Sequence, residues 1–279
     1  MPDSGIDARC ARRRFERAAG SYPGAARIES EIGARMLERL DYVKIAPRRI
    51  LDAGSGPPRR ALGGRYRGAC VIALDFSLAM LRSSRRRLDF LRRYPPQPVC
   101  GDFGRLPIAA AAVDLVWSNM ALHWAADPLA AFGEFHRVLA LEGLVMFSTL
   151  GPDTLSELRA AAGEARVHRF ADMHDLGDML VAAGFTAPVM DMERVTMLYA
   201  DGEALLADLR ASGQTCARAD RPRGLSGRRF RSALGERLAA QRRGGPLPVT
   251  FEVVYGHAWK AAPRRAADGR AIVQFERRR

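Results

Sequence analysis

Lysine is almost absent from this chain: Lys44 and Lys260 stand among 44 basic residues, and all the others are arginines. Cysteine is scarce as well. The four thiols, at positions 10, 70, 100 and 216, have neither metal-ligand nor redox spacing, which argues against a structural zinc site. Cys70 and Cys100 lie in or beside apolar runs and are expected to be buried. No uncharged apolar stretch approaches the roughly 20 residues of a membrane span, so no membrane association is expected. The first twenty residues lack the apolar core of a secretory signal. Asp3, Asp7 and Glu16 argue against an arginine-rich transit peptide, which leaves a cytoplasmic location as the expectation. Internal repeats and long low-complexity runs are also missing.

What is present is the composition of a globular protein with a substantial core. The chain has 279 residues, 48% of them hydrophobic, enough for one large domain or one domain with an insertion. The net charge of +13 favours an acidic partner. The charge is concentrated. Between Arg210 and Gly245, ten arginines face only Asp220 and Glu236. Arg82, Arg85, Arg86, Arg87, Arg92 and Arg93 form a second cluster, opposed only by Asp89. Solvated helix faces, a nucleic acid site and an acidic-protein site all fit charge alone.

Apolar spacing predicts helix over residues 8–40, broken at Pro23-Gly24. From there strands and helices alternate. "RRILDAG", "ACVIALD", "QPVCGD", "VDLVWSN" and "LVMFSTLG" read as strands, and the continuous apolar ones as buried parallel strands. "FSLAMLRSSRRRLDFLRR" reads as a helix opened by Ser77, and "PLAAFGEFHRVLALEG" as a helix ending at Gly143. "DMHDLGDMLVAAGF" reads as a helix capped by Asp172 and stopped by Gly184, which discounts Asp172–Asp175 as a metal site. "PVMDMERVTMLYA" and "VTFEVVYGHAWK" complete seven strands, with two basic helices between them. The alternation predicts an α/β fold with a parallel sheet covered on both faces.

Ligands of such sheets sit at the carboxyl ends of the strands. Asp52, Asp75 and Asp102 each close one of the first three strands, and Gly54 and Gly56 let the chain turn tightly beside the first. Asp75 follows Asp52 by 23 residues, the distance at which a carboxylate takes a ribose diol. Pro57 and Pro58 remove two N–H donors where a dinucleotide loop holds its pyrophosphate, so a cofactor without phosphate is favoured. Asp102 and Phe103 offer an acceptor and a ring to an adenine. Together these features fit S-adenosylmethionine, which is cationic at sulfur. Three aspartates serving only as turn residues is the competing reading.

The series "LDAGSGPP…ALDFS…GDFGRLP…VDLVWSN" resembles class I methyltransferases over roughly residues 48–150. The family's usual third glycine is replaced by Pro58. The resemblance implies a doubly wound, Rossmann-like sheet of seven mostly parallel strands. It puts Asp52, Gly54 and Gly56 around the methionine part, Asp75 at the ribose, Asp102 and Phe103 at the adenine, and Asn119 on the far side, with Phe76 also among the cofactor-binding residues. The flanks are more specific. "RRFERAAGSYPGAARIESEIGARMLERL", "VWSNMALHWAADP", "FSTLGPDTLSELR", "GLSGR" and "LPVTFEVVYGHAWK" resemble malonyl-acyl-carrier-protein methyltransferases of the BioC type. That likeness implies an N-terminal helical lid (1–46) with Tyr22 closing over the cofactor, and a methyltransferase domain (47–260). It also implies a basic helical insertion at about 202–246 and a basic tail (261–279).

The implied reaction is methylation of the free carboxylate of a malonyl thioester, for biotin synthesis. A carboxylate with a pKa near about 4 is already ionised at neutral pH and needs no general base, so no catalytic base is expected. An arginine fork is the natural group to orient it, and Arg159 and Arg210 are the candidates. His123 and Trp124 are either the acceptor wall or a packed pair at a helix start. A monomer that docks an acidic acyl carrier protein through its arginines is expected, with no nucleic acid partner. Three alternatives stand: a cofactor-binding relative of the arginine-hydroxylating respiratory complex I assembly factor, an RNA methyltransferase, and a non-catalytic cofactor-binding regulator.

Overall fold

The structure is a computed structural model that describes residues 5–57, 61–83, 95–224, 226–242 and 244–261. Pro58, Arg85, Arg86, Arg87, Asp89, Arg92, Arg93, Arg243 and the tail beyond Ala261 lie outside the described residues. Three helices open the chain: α1 (Ala8–Ala18), the single turn α2 (Tyr22–Ala25) and α3 (Arg27–Arg39). The break falls earlier than the sequence suggests. Pro23 lies in the first turn of α2, where its missing N–H has no helical partner to lose.

After β1 (Arg49–Ala53) come α4 (Ala61–Arg65), β2 (Cys70–Asp75), α5 (Leu78–Ser83), β3 (Gln97–Cys100) and β4 (Val113–Ser118). Then follow α6 (Pro128–Val138), β5 (Leu139–Leu150), α7 (Ser156–Ala162), α8 (Met173–Ala182) and β6 (Thr186–Tyr199). The chain closes with α9 (Gly202–Ala211), α10 (Arg228–Ala240) and β7 (Leu247–Trp259). The seven strands form one sheet in the order β3-β2-β1-β4-β5-β7-β6. The first five are parallel, and β7 enters antiparallel between β5 and β6.

Strand alternation divides the core between the two faces. Ile50, Leu115 and Leu144 point to the face covered by Ile32, Met36 and Leu40 from the N-terminal helices. Leu205, Leu209, Leu234 and Leu238 of α9 and α10 join the same core. Leu51, Val116 and Val145 point to the opposite face, under Phe132 and Phe135 of α6 and Leu176 and Leu180 of α8. Two covered faces explain why the inner strands are apolar without interruption.

Two local readings are corrected by tertiary contacts. The helix before β5 ends at Val138, not at Gly143, because Leu139 already pairs with Val113 in the sheet. Gly143 instead lies at the bulge in β5, where a side chain would come within 2.8 Å of the Ala140 carbonyl. Cys70 and Cys100 are exposed rather than buried. Cys70 opens its strand, and Cys100 belongs to the edge strand β3.

Candidate active site

The carboxyl ends of β1 to β4 converge on a cavity. Gly54 and Gly56 turn the chain out of β1 with φ of +75° and +57°, values an L side chain rarely adopts. The N–H groups of Gly54 and Ser55 both bond the Leu74 carbonyl, at 2.8 and 2.9 Å, which locks the turn onto β2. Pro57 is buried immediately after it. Asp75, at the end of β2, accepts from Gly56 N (2.9 Å) and Ser77 N (2.8 Å). Burial nevertheless pushes its pKa up to about 6, against the lowering effect of those two bonds.

Asp102 accepts from Gly104 N at 2.7 Å and is exposed, while the partly buried Phe103 lines the cavity with its ring edge-on to Phe135. Asn119 ends β4. Its Nδ2 donates to the Glu29 carbonyl (2.8 Å) and its Oδ1 accepts from Ser148 Oγ (3.0 Å), so it bolts α3 to the sheet while lining the cavity. Asp52 opens onto an adjoining compartment of about 220 Å³, which shares Tyr22, Gly54 and Asn119 with the first and adds the buried Glu29.

The roof comes from the N-terminal helices. Phe15 of α1 contacts Phe76 (5.6 Å between centroids), Trp124 (5.0 Å) and Tyr22 (6.4 Å). The sequence marks Phe15 only as helix core. Its place in the cavity wall, with Met80 and Ala121, emerges only in three dimensions. The site is therefore a ring-walled pocket whose charged side chains are carboxylates, inside a strongly cationic protein.

His123 and Trp124 lie on a short 3-10 turn after β4. Their surroundings include His168, which the sequence reading missed because it lies 45 residues downstream in an irregular segment. The Trp124 ring contacts His168 at 4.8 Å and His123 at 5.5 Å. Burial pushes His123 down to about 3, helped by the neighbouring His168, and burial pushes His168 down to about 4. Both rings are neutral at physiological pH. A histidine depressed in the folded state stabilises fully above its unfolded pKa near 6.5, and that contribution is lost as pH falls toward the folded value. At pH 5 the loss is on the order of 2 kcal/mol per ring. Thermal melts should show the Tm falling between pH 7.5 and 5, with a smaller fall in His123→Phe; equal slopes would contradict a buried neutral His123.

The two arginine candidates are not brought together. Arg159 of α7 donates to the carbonyls of Pro152 (2.8 Å) and Thr154 (3.0 Å), and it does not line the cofactor cavity. Arg210 of α9 lies at a different cavity, of about 180 Å³, beneath α7, α9 and α10. Arg218 is not a surface group: it is 3% exposed, paired with Asp220, and donates to the carbonyls of Glu164 and Val167. Arg223, Arg228, Arg229, Arg231 and Arg237 are exposed. Among the described residues, no three His, Cys, Asp or Glu side chains are grouped to hold a metal, and no helix is long and apolar enough to cross a membrane.

A family model described as a methyltransferase domain matches residues 51–147, the strands that build this cavity. The chain is 50% identical to a malonyl-[acyl-carrier protein] O-methyltransferase of Methylovorus sp. (strain MP688), over 98% of this chain and 96% of that protein. The chain belongs to this family. A second member, from Gallionella capsiferriformans (strain ES-2), is 49% identical over 96% of both chains. The YcgJ protein of Bacillus subtilis shares the fold at a TM-score of 0.60 and 16% identity, covering 82% of this chain and 99% of that one. The class I methyltransferase fold expected from the glycine loop and the strand-end aspartates is thus the fold of this family member.

Proposed function

We propose that this protein methylates the free carboxylate of a malonyl thioester on acyl carrier protein, with S-adenosylmethionine as donor, giving the methyl ester that primes pimeloyl synthesis for biotin. The observation that carries the reading is a cavity of carboxylates and rings at the strand ends of a chain 50% identical to proteins of that name. Near-complete coverage of those relatives favours it over the assembly-factor and regulator readings.

The residues fit the cofactor. Asp75 is buried and carries a raised pKa, the condition of a carboxylate in want of further hydrogen-bond donors, which ribose hydroxyls supply. Asp102 and Phe103 suit the adenine, and Asp52 beside Glu29 suits a cationic amino group. Bound S-adenosylmethionine supplies a methyl group made electrophilic by its sulfonium. Phe15, Tyr22, Phe76 and Trp124 exclude water, so that the acceptor oxygen meets the methyl group without a competing hydration shell. No residue need act as a base, because the acceptor carboxylate is already ionised. Orientation is the work left to the protein.

In this reading residues 1–46 act as a lid over the domain at 47–260, in a cytoplasmic monomer. The exposed arginines between Arg223 and Arg237 in the insertion steer the acidic carrier. The test is intact-mass spectrometry of malonyl-acyl carrier protein incubated with the protein and S-adenosylmethionine. A gain of one methyl group, absent with Asp75→Ala, is expected; no gain on the malonyl carrier with the cofactor demonstrably bound would reject the reading.

A further inference from the structure

Phe15 of α1, Tyr22 of α2 and Glu29 of α3 line the cofactor cavity and the compartment beside it. Residues 208–221, from the end of α9 into the loop before α10, line neither. Yet this segment meets the N-terminal helices along their length. At one end, Asp7 N donates to the Ala217 carbonyl at 2.8 Å, Ala219 N donates to the Gly5 carbonyl, and Ile6 pairs with Arg218 as an antiparallel bridge. Arg221 pairs with Asp7 at 3.2 Å, and Arg14 donates to the Cys216 carbonyl. At the other end, Ser21 Oγ donates to the Ala211 carbonyl (2.8 Å), Arg27 pairs with Asp208 (3.3 Å), and Gln214 Nε2 donates to Glu29 Oε1. Between them Gly213 lies against the back of the roof. A Cβ there would come within 3.1 Å of Phe15 Cδ1 and 3.2 Å of Ala18 Cβ.

The two sides of the roof are held differently. Toward the cavity, Phe15 meets Phe76 and Trp124 through ring contacts. Away from it, the helices are held by directional bonds, most of them to main-chain groups. Parting the helices from residues 208–221 would strip partners from the backbone at Gly5, Asp7, Ala211, Cys216 and Ala217, and unpaired backbone groups are costly where water is excluded. Ala217 is fully buried, packed with Ile6 and Ala11. Lifting the roof with the segment still attached separates only the ring contacts.

We propose that residues 208–221 position the roof of the cofactor site, so that α1, α2 and this segment open and close over the cofactor as one unit. The inference rests on the lid and cofactor roles proposed above. It gives the insertion a second role besides carrier docking: bonds remote from the cofactor set how fast it leaves. Such a unit is a cooperative element that opens below the free energy of global unfolding.

The experiment is amide hydrogen exchange of the full chain with and without S-adenosylhomocysteine, followed by the release rate of that ligand from variants. Amides that exchange only when the unit opens are slowed by a factor of about 100 at a hundredfold excess of ligand over its Kd. Peptides covering residues 8–25 and 208–221 are expected to be slowed in parallel, and α10, which packs on α7 and α9, much less. Protection of 8–25 without 208–221, or equal protection throughout α10, would overturn the proposal. Gly213→Ala is expected to speed release by about fivefold or more, the low end for an overpacked contact, with the association rate within about twofold. A general loss of fold would lower the association rate as well. Arg221→Ala, which loses the ion pair to Asp7 and leaves the φ of +75° at Gly213 untouched, is measured alongside and should speed release by roughly twofold. Gly235→Ala in α10, whose Cβ would meet nothing within 4 Å, should release at the wild-type rate. Folded Gly213→Ala and Arg221→Ala variants that release at the wild-type rate would overturn the proposal alone. A wild type that binds no S-adenosylhomocysteine would overturn the cofactor reading and this inference with it.

Discussion

Asp75→Ala is expected to weaken S-adenosylmethionine binding by about two orders of magnitude, since two hydrogen bonds to a charged group contribute roughly 3 kcal/mol together. Asp75 is 5% exposed and is held in place by the N–H groups of Gly56 and Ser77. Its carboxylate fixes the glycine turn from one side and presents its remaining acceptor sites to the cavity. The pH dependence follows from the raised pKa of about 6. In the free protein, ionised Asp75 opposes folding above that value, because the folded pKa lies above the unfolded one, and protonation relieves the opposition below it. Ribose hydroxyls donating to the carboxylate favour its charged form, so binding releases a proton when the pH is near or below 6. Cofactor affinity should therefore fall as pH drops from 7.5 to 5, and Asp75→Asn should be weak at both values. Isothermal titration calorimetry across that range checks this. An unchanged Kd in Asp75→Ala would remove the ribose role.

Gly54→Ala should abolish measurable cofactor binding while leaving the sheet folded. The φ of +75° costs an L residue about 1 kcal/mol or more. The added Cβ would overlap the Ala121 side chain and come within 3.0 Å of Phe103 Cζ. Neither neighbour is the free end of a flexible chain. Ala121 leads directly into the turn that carries His123 and Trp124, so relief of the clash moves that turn as well as the glycine loop. A total cost of about 2 kcal/mol would lower the Tm by roughly 4–8 °C in a chain of this size. Gly63→Ala in α4 is the control, because its Cβ would meet nothing within 4 Å. It should bind the cofactor normally. Equal Kd values for Gly54→Ala and wild type would show that the turn can relax without consequence.

Much of the architecture is written in short-range pattern. Runs such as "CVIALD" and "VDLVWS" are strands because only a doubly covered sheet buries them whole. Asp172 caps α8 because its own side chain reaches the N–H two residues on. Gly54, Gly56 and Asp75 are readable together because a turn after one strand and a carboxylate at the end of the next are set by chain geometry alone.

Tertiary structure decided everything that depends on distant partners. Leu139 is strand rather than helix because Val113 is beside it. Asn119 faces the cavity with its amide already bonded to the Glu29 carbonyl and Ser148. Arg159 looks like a carboxylate clamp in sequence, yet in the fold it bonds the carbonyls of Pro152 and Thr154. His168 gains its significance from Ala217, Trp124 and His123, none of which is near it in the chain. Hydrophobic period and turn chemistry act over a few residues, so the sequence shows them directly. Which polar atoms end up paired, and which are left facing a ligand, is a property of contacts that exist only once the chain has closed on itself.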